Sequence, residues 1–261
     1  MIAVKFRGIP CLAAAAVLAG CSSSPAPSSS TRSSTTAAAA PGTRAALSIT
    51  DPYSPKIDPA DFSTTIDNPY MPMVPGTRMI YEADTPDGKQ RTVTEVTRDT
   101  KTVMGVKTVV VHDTVSVAGE QTEDTLDWYA QARDGSVWYF GEQTKEFSDG
   151  KVDTTGSFEA GVNGALPGIV MPVSPQVGDK FRQEYAKGVA EDTGEVIDLH
   201  GADTTPLTGS VRDLVVTKDA DMLEPHAPAE HKFFAKGIGL ILTVTDGQPP
   251  QRDQAIKAEK F

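Results

Sequence analysis

The sequence predicts an all-β body of antiparallel meander sheets, packed as a sandwich or closed into a barrel or half-barrel. Three observations carry that expectation. From about residue 60 onward, runs rich in Val, Thr and aromatic residues are punctuated by turn signals. No stretch of this region sustains the apolar i, i+3, i+4, i+7 stripe of an amphipathic helix. The pairs Asp87-Gly88, Asp134-Gly135, Asp149-Gly150 and Asp246-Gly247 offer the positive φ that tight hairpins need.

The chain begins differently. Lys5 and Arg7 precede a short apolar run, Cys11 to Gly20, that ends in small residues, which is the pattern of an export signal over residues 1–20. The run is about half the ~20 residues needed to span a bilayer. Leu18-Ala19-Gly20-Cys21 resembles the lipobox of bacterial lipoproteins, which implies a diacylglycerol on the Cys21 sulfur and cleavage before it. Residues 21–50 are mostly Ser, Thr, Ala and Pro and cannot bury enough apolar surface to offset their ordering entropy, so they read as a flexible tether. A single β domain is expected over 51–261.

Strands are expected near 77–83, 90–98, 106–117, 121–132, 136–142, 144–147, 151–158, 180–187, 192–199, 210–218, 229–235 and 238–245. One hairpin can be argued to its register. If Arg133-Asp134-Gly135 is a three-residue loop with Gly135 left-handed, Ala132 faces Ser136 and Trp128 faces Phe140. Trp128, Ala130, Trp138 and Phe140 then share one face. The opposite row, Glu123, Thr125, Asp127, Tyr129 and Gln131, is polar and is expected to face solvent. In the last strand Ile238, Leu240, Leu242 and Val244 form a buried face by the same period of two. The two tryptophans either pack in the core or line a ligand cavity with Phe140, Leu166 and Met171.

The chain also resembles itself. The strand entry Pro75-Gly76-Thr77-Arg78-Met79 recurs as Val177-Gly178-Asp179-Lys180-Phe181, and Gly105-Val106-Lys107-Thr108-Val109 is echoed by Gly209-Ser210-Val211-Arg212-Asp213. Trp128-Tyr129-Ala130 and its return Val137-Trp138-Tyr139 are echoed by Phe233-Phe234-Ala235 and Gly239-Leu240-Ile241. Four pairs in one order at a spacing of roughly 100 residues imply a duplicated unit, with copies at about 72–142 and 174–245. Between them residues 160–179, rich in Gly and Pro yet apolar, are too broken for a helix. They are expected to form a loop that either plugs the sheet assembly or lids a cavity.

The Gly-[Thr/Asp]-[Arg/Lys]-[Met/Phe] strand entry and the closing Phe234-Ala235-Lys236-Gly237-Ile238-Gly239 hairpin resemble bacterial secreted lipoproteins of uncharacterised function over about residues 60–245. The resemblance implies an all-β surface module and brings no catalytic residue with it.

Charge and chemistry narrow the function classes. The chain holds 24 Lys and Arg against 35 Asp and Glu, and the first 50 residues contain basic groups but no acid, so the body is strongly acidic. Such a surface repels phosphate and excludes nucleic acid as a partner. Cys11 and Cys21 both precede the domain, so it has no disulfide framework, thiolate zinc cluster or cysteine nucleophile. Nucleophile-elbow, phosphate-loop, zinc-protease and dinucleotide motifs are absent, and no cofactor is expected.

Glu224, His226, Glu230 and His231 form the one cluster with metal-ligand chemistry, suited to zinc, but prolines on both sides of His226 put it in a loop where the four need not converge. His112 and Asp113 are neighbours in a strand and so point to opposite faces, which prevents a dyad. The functional expectation is a non-enzymatic surface module, tied to the membrane through the Cys21 lipid, that either binds an apolar small molecule, a wall component or another protein or serves a purely structural role. The alternative is an extracytoplasmic hydrolase whose site is assembled from separate strands.

Overall fold

The computed structural model describes residues 46–261. After a short 3-10 turn at Pro59–Asp61, the first half of the body comprises β1 (Phe62–Ser63), β2 (Thr77–Thr85), β3 (Gly88–Val103), β4 (Val106–Val117), β5 (Glu120–Ala132), β6 (Val137–Ser148), β7 (Lys151–Asp153) and β8 (Phe158–Glu159). The second half adds β9 (Leu166–Met171), β10 (Lys180–Arg182), β11 (Glu184–Tyr185), β12 (Asp192–Thr205), β13 (Gly209–Asp221), β14 (Glu230–Ala235), β15 (Gly239–Thr245) and β16 (Gln251–Lys260). The protein is all-β and antiparallel, as expected.

One sheet runs β10-β12-β13-β14-β15-β16-β2-β3-β4-β5-β6-β9-β11. Its two ends meet in a single stretch of chain, because β10 pairs with β12 while β11, two residues on, pairs with β9. The sheet is therefore nearly closed into a barrel. Closure leaves few bare edges to recruit a stranger's strand.

The Trp128 hairpin folds on the expected loop: Ala132 N–H donates to Ser136 O at 2.8 Å, Gly135 has φ +95°, and Ala130 faces Trp138. Beyond Tyr129 the register shifts, so Asp127 faces Glu142 and Trp128 does not meet Phe140 in the ladder. Gly141 allows this bulge, with φ +126° and the Phe158 carbonyl oxygen only 2.3 Å from where a Cβ would sit.

Three expectations are corrected. Glu123, Thr125, Asp127 and Tyr129 do not face solvent. They point into the barrel, where Tyr129 is fully buried and Asp127 is 3% exposed. Alternation along β4 to β6 divides two clusters: Val109, Val111, Tyr129 and Tyr139 join the main core, while Val110, Trp128, Ala130 and Phe140 form a second cluster on the outer face, covered by Ile57 and Phe62. Both faces of these strands are thus buried, and the choice between them is lost from the pattern.

The stretch 160–179 is not simply a loop either. It contains β9, which pairs with β6 on one side and β11 on the other. Pro167 is accommodated because the ladder with β6 takes in Gly168, Ile169 and Met171 but not Pro167, and Gly168 is required because the backbone of Arg182 and Gln183 passes within 2.4 Å of where its Cβ would be. Finally β16, not expected at all, lies between β15 and β2 and joins the two halves of the sheet.

Candidate functional site

One end of the barrel holds a cavity of about 610 Å³. Its roof is the segment 66–73, tied down by Asn68, which is 1% exposed: its Nδ2 donates to Gly135 O (2.9 Å) and Pro172 O (3.2 Å). Met73 N–H donates to Ile66 O and Gly237 N–H to Pro69 O, fixing the roof against itself and against the β14–β15 hairpin. This arrangement delivers Met71 and Met73 to the cavity, where they meet Met79 and Tyr81 of β2, Val111 of β4 and Leu240 of β15. Methionines fit irregular apolar ligands because the unbranched thioether adapts its shape. At the mouth Arg78 pairs with Glu259 (2.7 Å) and Glu95 (2.9 Å).

Below the apolar wall the barrel interior turns acidic. Asp113, Glu123, Asp127 and Asp253 project inward from β4, β5 and β16, with Tyr139 donating its hydroxyl to Asp127 Oδ1 (2.6 Å) and reaching Glu142 Oε2 (3.1 Å). Burial pushes the Glu123 carboxyl up to about 7, with neighbouring Asp113, Glu142 and Glu146 adding to the effect and the Thr125 hydroxyl opposing it. Burial likewise raises Asp253 to about 7, against the Thr92 hydroxyl bonded to it at 3.4 Å. Asp127 is raised well above its ordinary value by burial and then by Asp113. Glu123 and Asp253 are thereby held near the point of being neutral at physiological pH, because desolvation disfavours their charged form.

A second polar group lies across the barrel on β13 and β14. Lys232 Nζ is 2.8 Å from Asp219 Oδ2 and 3.7 Å from Glu230 Oε2, and Asp219 also accepts from Gln183 Nε2 (2.9 Å) and Thr217 Oγ1 (2.8 Å). Burial alone would lower the Lys232 ammonium, but the two carboxylates more than offset it and hold it above its ordinary value.

The residues singled out from sequence are dispersed. Trp128 and Phe140 lie in the outer cluster with half-buried Trp138 beside them, Met171 is in the main core, Leu166 is half-buried at the start of β9, and none of the five lines the cavity. Glu224 and His226 are exposed, His231 reaches Asp246 (3.3 Å), and Glu230 turns inward to Lys232. Among the described residues no group of three or more His, Cys, Asp or Glu could hold a metal ion. His112 meets Asp124 (3.3 Å) on the outer face while Asp113 is inside. Cys21 lies outside the described residues.

Sequence reasoning missed Met71, Met73 and Asp113. The first two sit in an irregular segment with no periodicity to read, and the third was judged only as a partner for His112.

No family model matches the chain, and no curated protein matches it. Among solved structures, a protein from Bacteroides fragilis NCTC 9343 described as exported, with a YmcC-like fold, is similar at 13% identity and TM-score 0.40, over 73% of this chain and 99% of that one. A protein from Parabacteroides distasonis ATCC 8503 described as a lipoprotein is similar at 10% identity and TM-score 0.42, over 73% of this chain and 98% of that one.

Proposed function

We propose that this chain is an exported protein, anchored by a lipid on Cys21, whose barrel binds an apolar small molecule without transforming it. The observation that carries the reading is the cavity: its volume falls within the ~300–1,000 Å³ of ordinary ligand sites, and its wall is mainly methionine, aliphatic and aromatic side chains, with Arg78, Thr94, Glu259 and Lys260 among the polar ones. The test is titration with the neutral dye Nile red. Saturable one-to-one binding is expected, and it should be lost in Met79→Trp, which fills the cavity. A wild-type protein that does not bind the dye sinks the reading. Anchoring is tested separately, since Cys21→Ser should move the protein from the membrane fraction to the medium.

The runner-up, an extracytoplasmic hydrolase, draws on the buried Tyr139, Asp127 and Glu142 group, whose shifted carboxyl has the character of a general acid. That group does not line the cavity, so binding is the preferred reading. We also read 72–142 and 174–245 as copies of one ancestral unit. Their shared turn geometry, described below, supports this.

A further inference from the structure

The mouth of the cavity has a rim that is apolar and cationic, on a body that is acidic. Along β2 exposure falls from half-buried Thr77 to Tyr81, 3% exposed, so the mouth lies where β2 begins and β16 ends. Two turns present aliphatic side chains there. Val74 is 55% exposed, on a turn that Thr77 closes by donating its N–H and its hydroxyl to Val74 O. Ile238 is 41% exposed, on a turn closed by its own N–H on Ala235 O, and both residues line the cavity. Phe261, 44% exposed, stands beside the first turn, since its N–H donates to Gly76 O.

The charges at this rim reverse the balance of the chain, in which 35 acids face 24 bases. Arg78 and Lys260 line the mouth, with Lys236 beside Gly237 and Lys257 beside Ala258. The acids are Glu95 and Glu259, and Arg78 bonds both, while Lys257 also holds Glu259. Arg98, over the Phe261 ring, and Asp99 next to it add one charge of each sign. Lys236 and Lys260 are exposed, and among the described residues neither has an ion-pair partner.

Exposed aliphatic and aromatic groups among unpaired lysines suit the headgroup layer of an anionic membrane, where the apolar groups bury at the acyl boundary and the ammonium groups meet lipid phosphates. Turn tips around an opening offer no flat face to a folded partner, whereas a fluid surface moulds to them. The acidic remainder of the body is repelled by such a membrane, but screening confines that repulsion to about 8 Å in physiological salt. It therefore turns the rim toward the surface without preventing contact. We propose that the rim of the cavity docks on an anionic lipid bilayer, with Val74, Ile238 and Phe261 inserted and the mouth set against the acyl layer.

The experiment sediments the chain from Ser22 onward, which lacks both the apolar run before Cys21 and the thiol that would carry a lipid, with two kinds of vesicle. One is pure phosphatidylcholine and the other phosphatidylcholine mixed with phosphatidylglycerol. Binding to the mixed vesicles should be about tenfold tighter or more and should weaken as salt is added, since each lysine near an anionic surface contributes about fivefold. Lys236→Gln with Lys260→Gln should remove most of that preference. Ile238→Asn should weaken binding to the mixed vesicles about fivefold by losing the inserted side chain. Lys145→Gln with Lys151→Gln removes the same charge from exposed positions on β6 and β7 and should change binding little. Absence of binding to the mixed vesicles, equal binding to both kinds, or a rim double variant that behaves like the β6–β7 control overturns the proposal. Nile red binding without vesicle docking defeats this inference alone, whereas docking without dye binding upholds it and defeats the reading of the cavity as a ligand site.

Discussion

Gly76 and Gly178 make the same hydrogen bond in the two halves of the barrel. Gly76 N–H donates to Val96 O at 2.7 Å and Gly178 N–H to Val196 O at 2.8 Å, with φ of +84° and +92°. Each follows a turn that hands the chain into a strand: Thr77 N–H donates to Val74 O in the first, and Asp179 N–H to Gln176 O in the second. The positive φ is what requires glycine at both places, since a Cβ would crowd the following carbonyl.

The pair differs in surroundings, which makes the first prediction discriminating. Nothing lies within 4 Å of a Cβ added at Gly178, so Gly178→Ala should cost only the backbone strain, about 1–2 kcal/mol in chemical denaturation. At Gly76 the added Cβ would sit 2.3 Å from Arg98 Nη2. Arg98 must then leave Phe261, whose carbonyl it holds at 3.1 Å and whose ring it covers. Gly76→Ala should therefore lose more than Gly178→Ala, and in an Arg98→Ala background the two losses should become equal. Unequal losses in that background would show that the two turns are not equivalent.

The tryptophans provide the second prediction. Trp128 is 4% exposed and carries the Lys101 ammonium 3.7 Å from its ring centroid, so Trp128→Ala should cost about 3–5 kcal/mol through lost burial and a cavity. Trp138 is only half-buried, with its indole N–H donated to Ser136 Oγ at 3.0 Å. Trp138→Ala should cost clearly less, roughly 1–2 kcal/mol. Equal losses would mean that the outer cluster extends over Trp138 as fully as over Trp128.

These residues also show how far the sequence could be read. The hairpin loop at Arg133-Asp134-Gly135 was legible because Asp-Gly chemistry is local, and Ala130 does face Trp138. Which face of β5 points inward was not. Charged residues ordinarily mark the wet side, but here Asp127 points into the nearly closed barrel while Trp128 is covered from outside by Ile57 and Phe62, distant in sequence. The same inversion hid β16: its inward residues are Asp253 and Ala255, so Gln251–Lys260 carries no apolar alternation. The cavity was beyond reach for another reason, because Met71 and Met73 are brought to it by the hydrogen bonds of Asn68 with Gly135 and Pro172.

The acidic interior predicts an unusual pH profile. Glu123 and Asp253 have folded-state values near 7 against ordinary values of 4.5 and 3.8. Between those limits the native protein holds protons that the unfolded chain has released, so unfolding sheds protons and stability falls as pH rises. The melting temperature should decline from about pH 5 to about pH 7.5 and level off above it. Glu123→Gln, neutral at every pH, should flatten the decline. A melting temperature that rises over this range, or one that Glu123→Gln leaves equally steep, would show that these carboxyls are ionised in the fold.

The last prediction concerns how the barrel is shut. Its seam is the passage of residues 182–185 between β9 and β12, where Glu184 pairs with Pro167 and Tyr185 with Leu166 on one side, and Gln183 N–H donates to Asp192 O on the other. Gly168 faces this passage. A Cβ there would lie 2.4 Å from Arg182 O and from Gln183 C and O, which are backbone atoms of a strand held on both sides and unable to step aside as a side chain can. Gly168→Ala should thus wedge β9 away from the passage and cost about 3 kcal/mol or more, at the upper end of what overpacking does. Gly164→Ala is the control: its φ is +82° and no atom lies within 4 Å, so it should lose only about 1–2 kcal/mol. Amide exchange gives the location of the damage. In Gly168→Ala the Gln183 amide should exchange much faster than in the wild type, while amides of β3 and β4, far round the barrel, should stay protected. Stability within about 0.5 kcal/mol of the wild type, with Gln183 still protected, would mean that the seam can open to admit a methyl group, and that closure does not depend on the close approach at Gly168.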